Sequence, residues 1–323
     1  MAGTPNPPHF DPRAPVSSAP RFPAFLRQLV DSTFAIVFPT RCSLCGGEIA
    51  TVSWINICGG CRYHLRPWKG AACTRCGVPF ASELATRAQT DDEFTVSLCG
   101  RCRNGEYDFD LARSYGLYTG KLRTAILQLK FKRRERLGQM LGELLATAWN
   151  SLEEATAAAG ERMLSGEAFL LVPVPLHSGR ERQRGFNQAE LLARGLAKGL
   201  RRGLAAVAGA GPEMGEATLH GSGSRPLFRV EKRCLRRVRA TIPQSGLSLS
   251  ARRENVRGVF QSARQDLIRG RTAVLIDDVM TTGATLSACA RALKRAGARH
   301  VVALTLARAT PQFPDISVPA WRT

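Results

Sequence analysis

No stretch of this 323-residue chain approaches the roughly 18 consecutive apolar residues that a membrane-crossing helix needs. The longest candidate, Phe34 to Phe38, stops at Pro39. The basic and apolar regions of a secretion signal are also missing from its start, so a cytoplasmic protein is expected. Acidic residues are scarce, with 26 Asp and Glu against 46 Lys and Arg, and the formal charge of +20 implies a surface that attracts polyanions. Phosphate-bearing small molecules and nucleic acid both satisfy that charge. What is abundant is cysteine. Eight of the ten fall as four C-x-x-C pairs between Cys42 and Cys102, a spacing too short and regular for a disulfide framework and suited to metal ligation.

Cys42, Cys45, Cys58 and Cys61 give C-x2-C-x12-C-x2-C, and Cys73, Cys76, Cys99 and Cys102 give C-x2-C-x22-C-x2-C. Each knuckle offers two sulfurs from one turn and a tetrahedral ion takes four, so two closed, structural sites are expected. Sequential sites close shorter loops than an interleaved cross-brace and are preferred. Four thiolates alone do not separate zinc from an iron-sulfur cluster. A Cys58→Ser change is expected to lower metal content while sparing chemistry elsewhere. Cys289 reads as a small core residue. His64 has no vacancy to fill as a ligand.

The chain divides by composition. Seven of 18 prolines lie in the first 23 residues, which marks 1–24 as a disordered leader. A short helix over 25–38 and a Cys-rich module to 108 follow, with a polar loop at 81–95. From 109 to 310 an α/β domain is expected, a parallel sheet with flanking helices, and 311–323 form a tail. Leu122, Ile126, Leu129 and Leu137 predict one helix from Lys121 to about Asn150. Ala168–Val174 reads as a buried strand and Asn187–Leu200 as a helix with Leu191, Leu192 and Leu196 inward. The Gly- and Ala-rich stretch 203–224 reads as an insertion or loop. Arg271–Ile276 and Val301–Leu306 read as strands around a helix Thr285–Ala296 that ends at Gly297.

Asp277 and Asp278, expected just past the first of these strands, offer acceptors for vicinal hydroxyls or a hydrated Mg2+. Thr281, Thr282 and Thr285 supply hydroxyl donors, Gly283 the tight turn beside Ala284, and the helix starting nearby turns its positive end toward a phosphate. Upstream, Val172 to Gln188 runs from a strand end through a basic loop with Arg180, Arg182, Arg184 and Gly185. The segment Lys121–Arg136 carries seven cations against Glu135 alone, including Lys130, Lys132, Arg133 and Arg134. That is either a solvated face or a DNA contact with few aromatics to stack on.

The stretch Val274–Thr285 resembles the phosphoribosyl diphosphate signature of type I phosphoribosyltransferases. The order of motifs, from the cysteine pairs through Leu127-Gln-Leu-Lys-Phe131, V-P-V-P-L-H, R-G-F-N-Q, I-P-Q and R-x-x-N-V-R-G to the acid pair, resembles the ComF family of competence-associated proteins. The resemblance spans about Phe38 to Arg308. It implies that Asp277, Asp278 and Thr281 to Thr285 bind ribose 5-phosphate with Mg2+ present, and that Arg180, Arg182, Arg184 and Gly185 hold the pyrophosphate, with His177 close by. Thr241–Gln244 and Arg252–Arg257 would form a mobile loop, with Arg252 joining both acids in any catalysis. The implied role is handling imported single-stranded DNA beside a helicase-like ATPase. A transferase acting on an amine or base and a non-catalytic DNA adaptor are the other readings. Several purine-specific members carry an acid where Thr281 stands, which argues against purine salvage here.

Overall fold

Phe169–Val172 and Ala273–Ile276 are apolar and buried at every position, as strands covered on both faces must be. They belong to a computed structural model that describes residues 40–49, 57–80, 97–131, 134–158, 164, 168–209, 227–239 and 254–310. The strands are β1 (Thr40–Arg41), β2 (Glu48–Ile49), β3 (Leu111–Leu117), β4 (Ala168–Pro173), β5 (Leu227–Val230), β6 (Leu235–Arg237), β7 (Phe260–Ser262), β8 (Thr272–Met280) and β9 (His300–Arg308). The helices are α1 (Gly59–Tyr63), α2 (Gly100–Arg103), α3 (Gly120–Phe131), α4 (Glu135–Ala158), α5 (Ser178–Arg184), α6 (Gln188–Gly209), α7 (Gln265–Ile268) and α8 (Ala284–Arg295). The expected leader, the helix at 25–38, the loop at 81–95, Thr241–Gln244, Lys132, Arg133, Arg252 and the tail lie outside the described residues.

Five parallel strands form the main sheet in the order β3-β9-β8-β4-β5. One face carries α3, α4 and α6, and the other carries α8 with the β6-β7 hairpin. Helices α4 and α6 approach at their backbones. A side chain on Gly142 or Gly195 would run into the main chain of the opposite helix at Leu192 and Gln139, so only glycine fits there.

Four expectations need correction. The single helix from Lys121 is two, α3 and α4, on either side of a break near Arg134. Lys130, Lys132, Arg133, Arg134 and Arg136 would crowd successive turns of one helix, and like charges at that spacing oppose each other. The helix from residue 188 continues to Gly209, so the first part of the expected 203–224 loop is helical. The basic loop after β4 contains α5, ended by Gly185 at φ +84. Finally, β8 runs through Asp277 and Asp278 instead of stopping before them.

The metal-binding knuckles straddle the sheet edge. Cys42, Leu44, Cys61 and Leu65 join the core under α3 and α4, while Cys73, Cys76 and Cys102 join the core under α8. Between them they cover the edge strand β3: Trp68 donates its amide to Tyr115 O at 2.8 Å and Ala112 donates to Arg75 O at 2.8 Å. This protects backbone groups that an open edge would leave for another chain.

Candidate functional site

From β4 the chain builds outward to β5, then returns on the other side of β4 to lay down β8 and β9. The carboxyl ends of β4 and β8 therefore flank a topological switch point, where open α/β sheets bind ligands. The two segments singled out from the sequence leave the sheet at this crevice: α5 follows β4, and residues 281–283 turn from β8 into α8.

Successive residues of a strand leave opposite faces, and the two acids are separated in this way. Asp278, 5% exposed, lies on the α3 and α6 side. Lys130 Nζ reaches its Oδ1 at 2.8 Å and Gln188 Nε2 donates to its Oδ2 at 2.9 Å. Arg184 Nη1 donates to Gln188 Oε1 at 2.9 Å, so a cation from α5 is linked to the same carboxylate. Burial works against the Lys130 charge, but Asp278 outweighs it and holds the ammonium above its ordinary range. Asp277 lies toward Cys289 and Arg237 and accepts the amide of Asp278 at 2.8 Å. Burial, then the neighbouring Asp278 charge, push its carboxyl up to about 7.

Lys130 and Arg134 were expected on an open basic face. Lys130, in the last turn of α3, instead lies inside the acid network, its side chain 19% exposed, and Arg134 donates to Ser43 Oγ of the first knuckle. Of the α5 cations, Arg182 is exposed while Arg180 and Arg184 are half-buried beside the crevice. His177 caps α5, its Nδ1 accepting the Gly179 amide at 3.2 Å. Asn187 ties the next turn to the sheet, donating to Val174 O and accepting from Ala189 N, both at 3.0 Å.

The turn after β8 has the conformation its sequence calls for. Gly283 stands at φ +79, and a Cβ there would lie 2.7 Å from the Tyr107 ring and 2.8 Å from Met280. Thr282 is buried, with Oγ1 accepting from Ala284 N at 3.3 Å, while Thr281 is exposed and Thr285 half-buried. The positive end of α8 faces this turn. The second knuckle pair braces it, since Arg101 from α2 donates to Thr282 O at 3.1 Å. Behind it, Asp108 accepts from Ser287 Oγ at 2.6 Å and from Arg291 Nε and Nη2 at 3.1 and 2.8 Å. No motif or spacing in the chain marks Arg101, and pairing Lys130 with Asp278 required knowing where α3 ends.

Each group of four cysteines gathers its sulfurs within 4.8 Å of one another, Cys42/Cys45/Cys58/Cys61 and Cys73/Cys76/Cys99/Cys102, so ligation is sequential. Sulfur separations of 3.8 Å (Cys45 to Cys58) and 3.6 Å (Cys76 to Cys99) match the roughly 3.8 Å edge of a tetrahedron with zinc-sulfur bonds of about 2.3 Å. Backbone amides of Leu44 and Cys58 point at Cys42 Sγ, and those of Cys76 and Cys99 at Cys73 Sγ, at 3.4–3.5 Å. Such contacts stabilise thiolate charge and suit a closed structural ion.

Comparison with known proteins agrees with both halves. A family model described as a double zinc ribbon domain matches residues 33–103, which assigns zinc to the two sites, and one described as a phosphoribosyl transferase domain matches residues 222–318. The chain is 31% identical over 274 residues to DNA utilization protein YhgH of Salmonella typhimurium, covering 84% of this chain and 99% of that protein. It is 28% identical over 273 residues to competence protein F of Haemophilus influenzae, covering 84% and 98%. To competence protein ComFC of Bacillus subtilis it is 25% identical over 281 residues, covering 83% and 94%. No described helix is long and apolar enough to cross a membrane.

Proposed function

The chain belongs to the ComF family of phosphoribosyltransferase-like proteins, and from that premise we propose that it binds phosphoribosyl diphosphate with Mg2+ between β4 and β8 and serves in handling imported single-stranded DNA. The observation that carries the binding site is the strand end Asp277-Asp278 followed by a Gly283 turn into α8, at the switch point of a parallel sheet. Residues 281–285 take the 5-phosphate on backbone amides and hydroxyls. The two carboxylates take ribose hydroxyls and the hard cation that accompanies a pyrophosphate. Arg180 and Arg184 neutralise the pyrophosphate from α5. The names of the relatives, competence protein and DNA utilization protein, support the DNA role.

Calorimetric titration of the purified protein with phosphoribosyl diphosphate and Mg2+, and separately with a single-stranded oligonucleotide, tests both parts. Absence of heat with phosphoribosyl diphosphate would remove the ligand assignment. The strand affinity should fall roughly tenfold or more between about 50 and 200 mM salt, because neutralising even three phosphates releases counterions. Replacing Lys132 and Arg133 together should flatten that slope; an unchanged slope would place the contact elsewhere.

Proton linkage gives a further expectation. Ribose hydroxyls and Mg2+ need Asp277 as carboxylate, whereas in the free protein its carboxyl titrates at about 7. Affinity for phosphoribosyl diphosphate should therefore rise between about pH 6 and pH 8 and level off above. The ligand phosphate titrates in the same region, so the control is Asp277→Asn, in which the part of the rise due to Asp277 should vanish. An identical profile in both proteins would show that Asp277 does not carry the dependence.

A further inference from the structure

Arg308, the last residue of β9, is 4% exposed, and its Nε and Nη1 are buried without a hydrogen-bond partner. The ion pairs of Asp108 with Arg291 and of Asp110 with Lys294 leave it out. A guanidinium keeps its charge at any ordinary pH, and burying one unpaired is strongly unfavourable, so the fold calls for an anion beside it. Its charge acts on the Cys76 sulfur and on the Tyr107 hydroxyl, both in the core under α8. Cys76 belongs to the second cysteine group, in which Cys73, Cys76 and Cys102 are buried and Cys99 is half-buried. Four thiolates around one divalent zinc make a dianion, and a dianion placed in a protein core needs cations as much as Arg308 needs an anion. A second cation is at hand. Arg113, half-buried on β3, donates through Nη2 to Thr74 O, between Cys73 and Cys76, at 2.8 Å, and its charge acts on both sulfurs.

We propose that Arg308 and Arg113 are the counter-ions of the second zinc centre, two fixed cations that balance its tetrathiolate charge inside the protein. The first cysteine group sits in a more open setting, with Cys45 exposed and Cys58 half-buried, where water screens charge. The two centres are therefore unlike: solvent balances the first, and built-in cations balance the second. Arg308 is a positioning residue for the metal, acting on the ligand Cys76 and not on the ion itself. Met280, its partner across the sheet, and Tyr107, its neighbour, are the groups that close on Gly283, so this charge balance is struck beside the turn into α8. The inference stands on the zinc centre alone and does not require the phosphoribosyl reading.

The test compares wild type, Arg308→Met, Arg308→Lys, and Cys99→His with and without Arg308→Met, for zinc content and for zinc retained against increasing chelator. Circular dichroism checks the fold. Methionine keeps buried length without the charge, lysine keeps the charge, and histidine at the half-buried Cys99 turns the dianion into a monoanion. In Arg308→Met one of the two zinc ions should yield to chelator at roughly ten- to hundredfold lower concentration and the other as in wild type, while Arg308→Lys should restore most of the loss. In the Cys99→His background the same removal of Arg308 should cost only a few-fold, since one cation then suffices. If Arg308→Met does not fold, its recovery by Cys99→His supports the charge balance, and failure to recover where Cys99→His alone folds overturns it. Unchanged release of both ions, equal weakening of both, a loss in Arg308→Lys as large as in Arg308→Met, or the same penalty in the Cys99→His background also overturns the proposal. So does a lowered affinity for phosphoribosyl diphosphate with zinc retention intact, which would give Arg308 to the ligand instead.

Discussion

Replacing both Asp277 and Asp278 by Asn should weaken phosphoribosyl diphosphate binding about a hundredfold or more, while the two single changes should move stability in opposite directions. For binding, each charge-assisted bond lost is worth roughly 1.5 to 3 kcal/mol, and 1.4 kcal/mol is about a factor of ten. For stability, relief of repulsion between the acids is the effect that the sequence suggests, but the structure adds a stranded partner. Asp278 is paired with Lys130 at 2.8 Å, their side chains 6% and 19% exposed. Removing one partner of a fully buried pair costs about 3–5 kcal/mol; the partial exposure of Lys130 lowers that to roughly 1–3 kcal/mol for Asp278→Asn.

Asp277 behaves oppositely. Its folded value of about 7 lies above the roughly 3.9 of an unfolded chain, so the native state binds the proton more tightly. The stabilisation from that proton is complete below about pH 4 and is lost as pH rises through about 7. Asp277→Asn escapes this loss, so at about pH 8 it should melt at or above wild type while Asp278→Asn melts below it. Near pH 5 the advantage of Asp277→Asn should shrink. Thermal melts at both pH values decide the matter; identical behaviour of the two variants would refute the split assignment of the acids. Parent-like affinity in the double variant would place the sugar phosphate elsewhere.

Cys102→Ser should reduce zinc from about two ions to about one per chain and also impair the phosphate turn. A structural zinc contributes on the order of 10 kcal/mol to the fold of its module, so loss of one thiolate releases the loops it closes. In this protein the second ribbon is not a separate appendage. Arg101, next to the ligand Cys102, holds Thr282 O, and Asp108 holds Ser287 and Arg291 on α8. Loss of that brace should raise amide exchange across residues 281–286 and lower phosphoribosyl diphosphate affinity. Cys58→Ser, expected from the sequence to spare the pocket, acts on the other flank. Ser43, between the ligands Cys42 and Cys45, accepts from Gln128 of α3 and from Arg134, so this variant should loosen the helix that carries Lys130 and Phe131. One zinc in Cys102→Ser with wild-type affinity and wild-type exchange at 281–286 would show that the ribbon does not support the turn.

Much of this protein was legible because its chemistry is local in the chain. Two thiols three residues apart form one knuckle wherever they fold, and Gly283 at positive φ with a helix beginning at Ala284 is a turn written in consecutive residues. Leu286, Cys289 and Leu293 announced the buried side of α8 by spacing alone. Edge strands were not legible. In β3, Leu-Ala-Arg-Ser-Tyr-Gly-Leu, only Ala112, Tyr115 and Gly116 are buried, because part of its cover comes from the ribbons. A strand whose partners lie elsewhere in the chain carries neither a continuous apolar run nor a clean alternation.

The sequence by itself determined the composition of the site: four thiolates twice over, an acid pair, a hydroxyl-rich turn and a supply of cations. Only the tertiary structure decided which cation meets which acid, because α3 precedes β8 by about 150 residues of chain. It separated Asp277 from Asp278 across the sheet, since strand residues alternate faces regardless of their chemistry. It also set the two zinc ribbons against opposite faces of the sheet at its β3 edge, a placement that depends on the burial of Leu44, Leu65, Tyr107 and Phe109 against two different cores and that no spacing in the chain encodes.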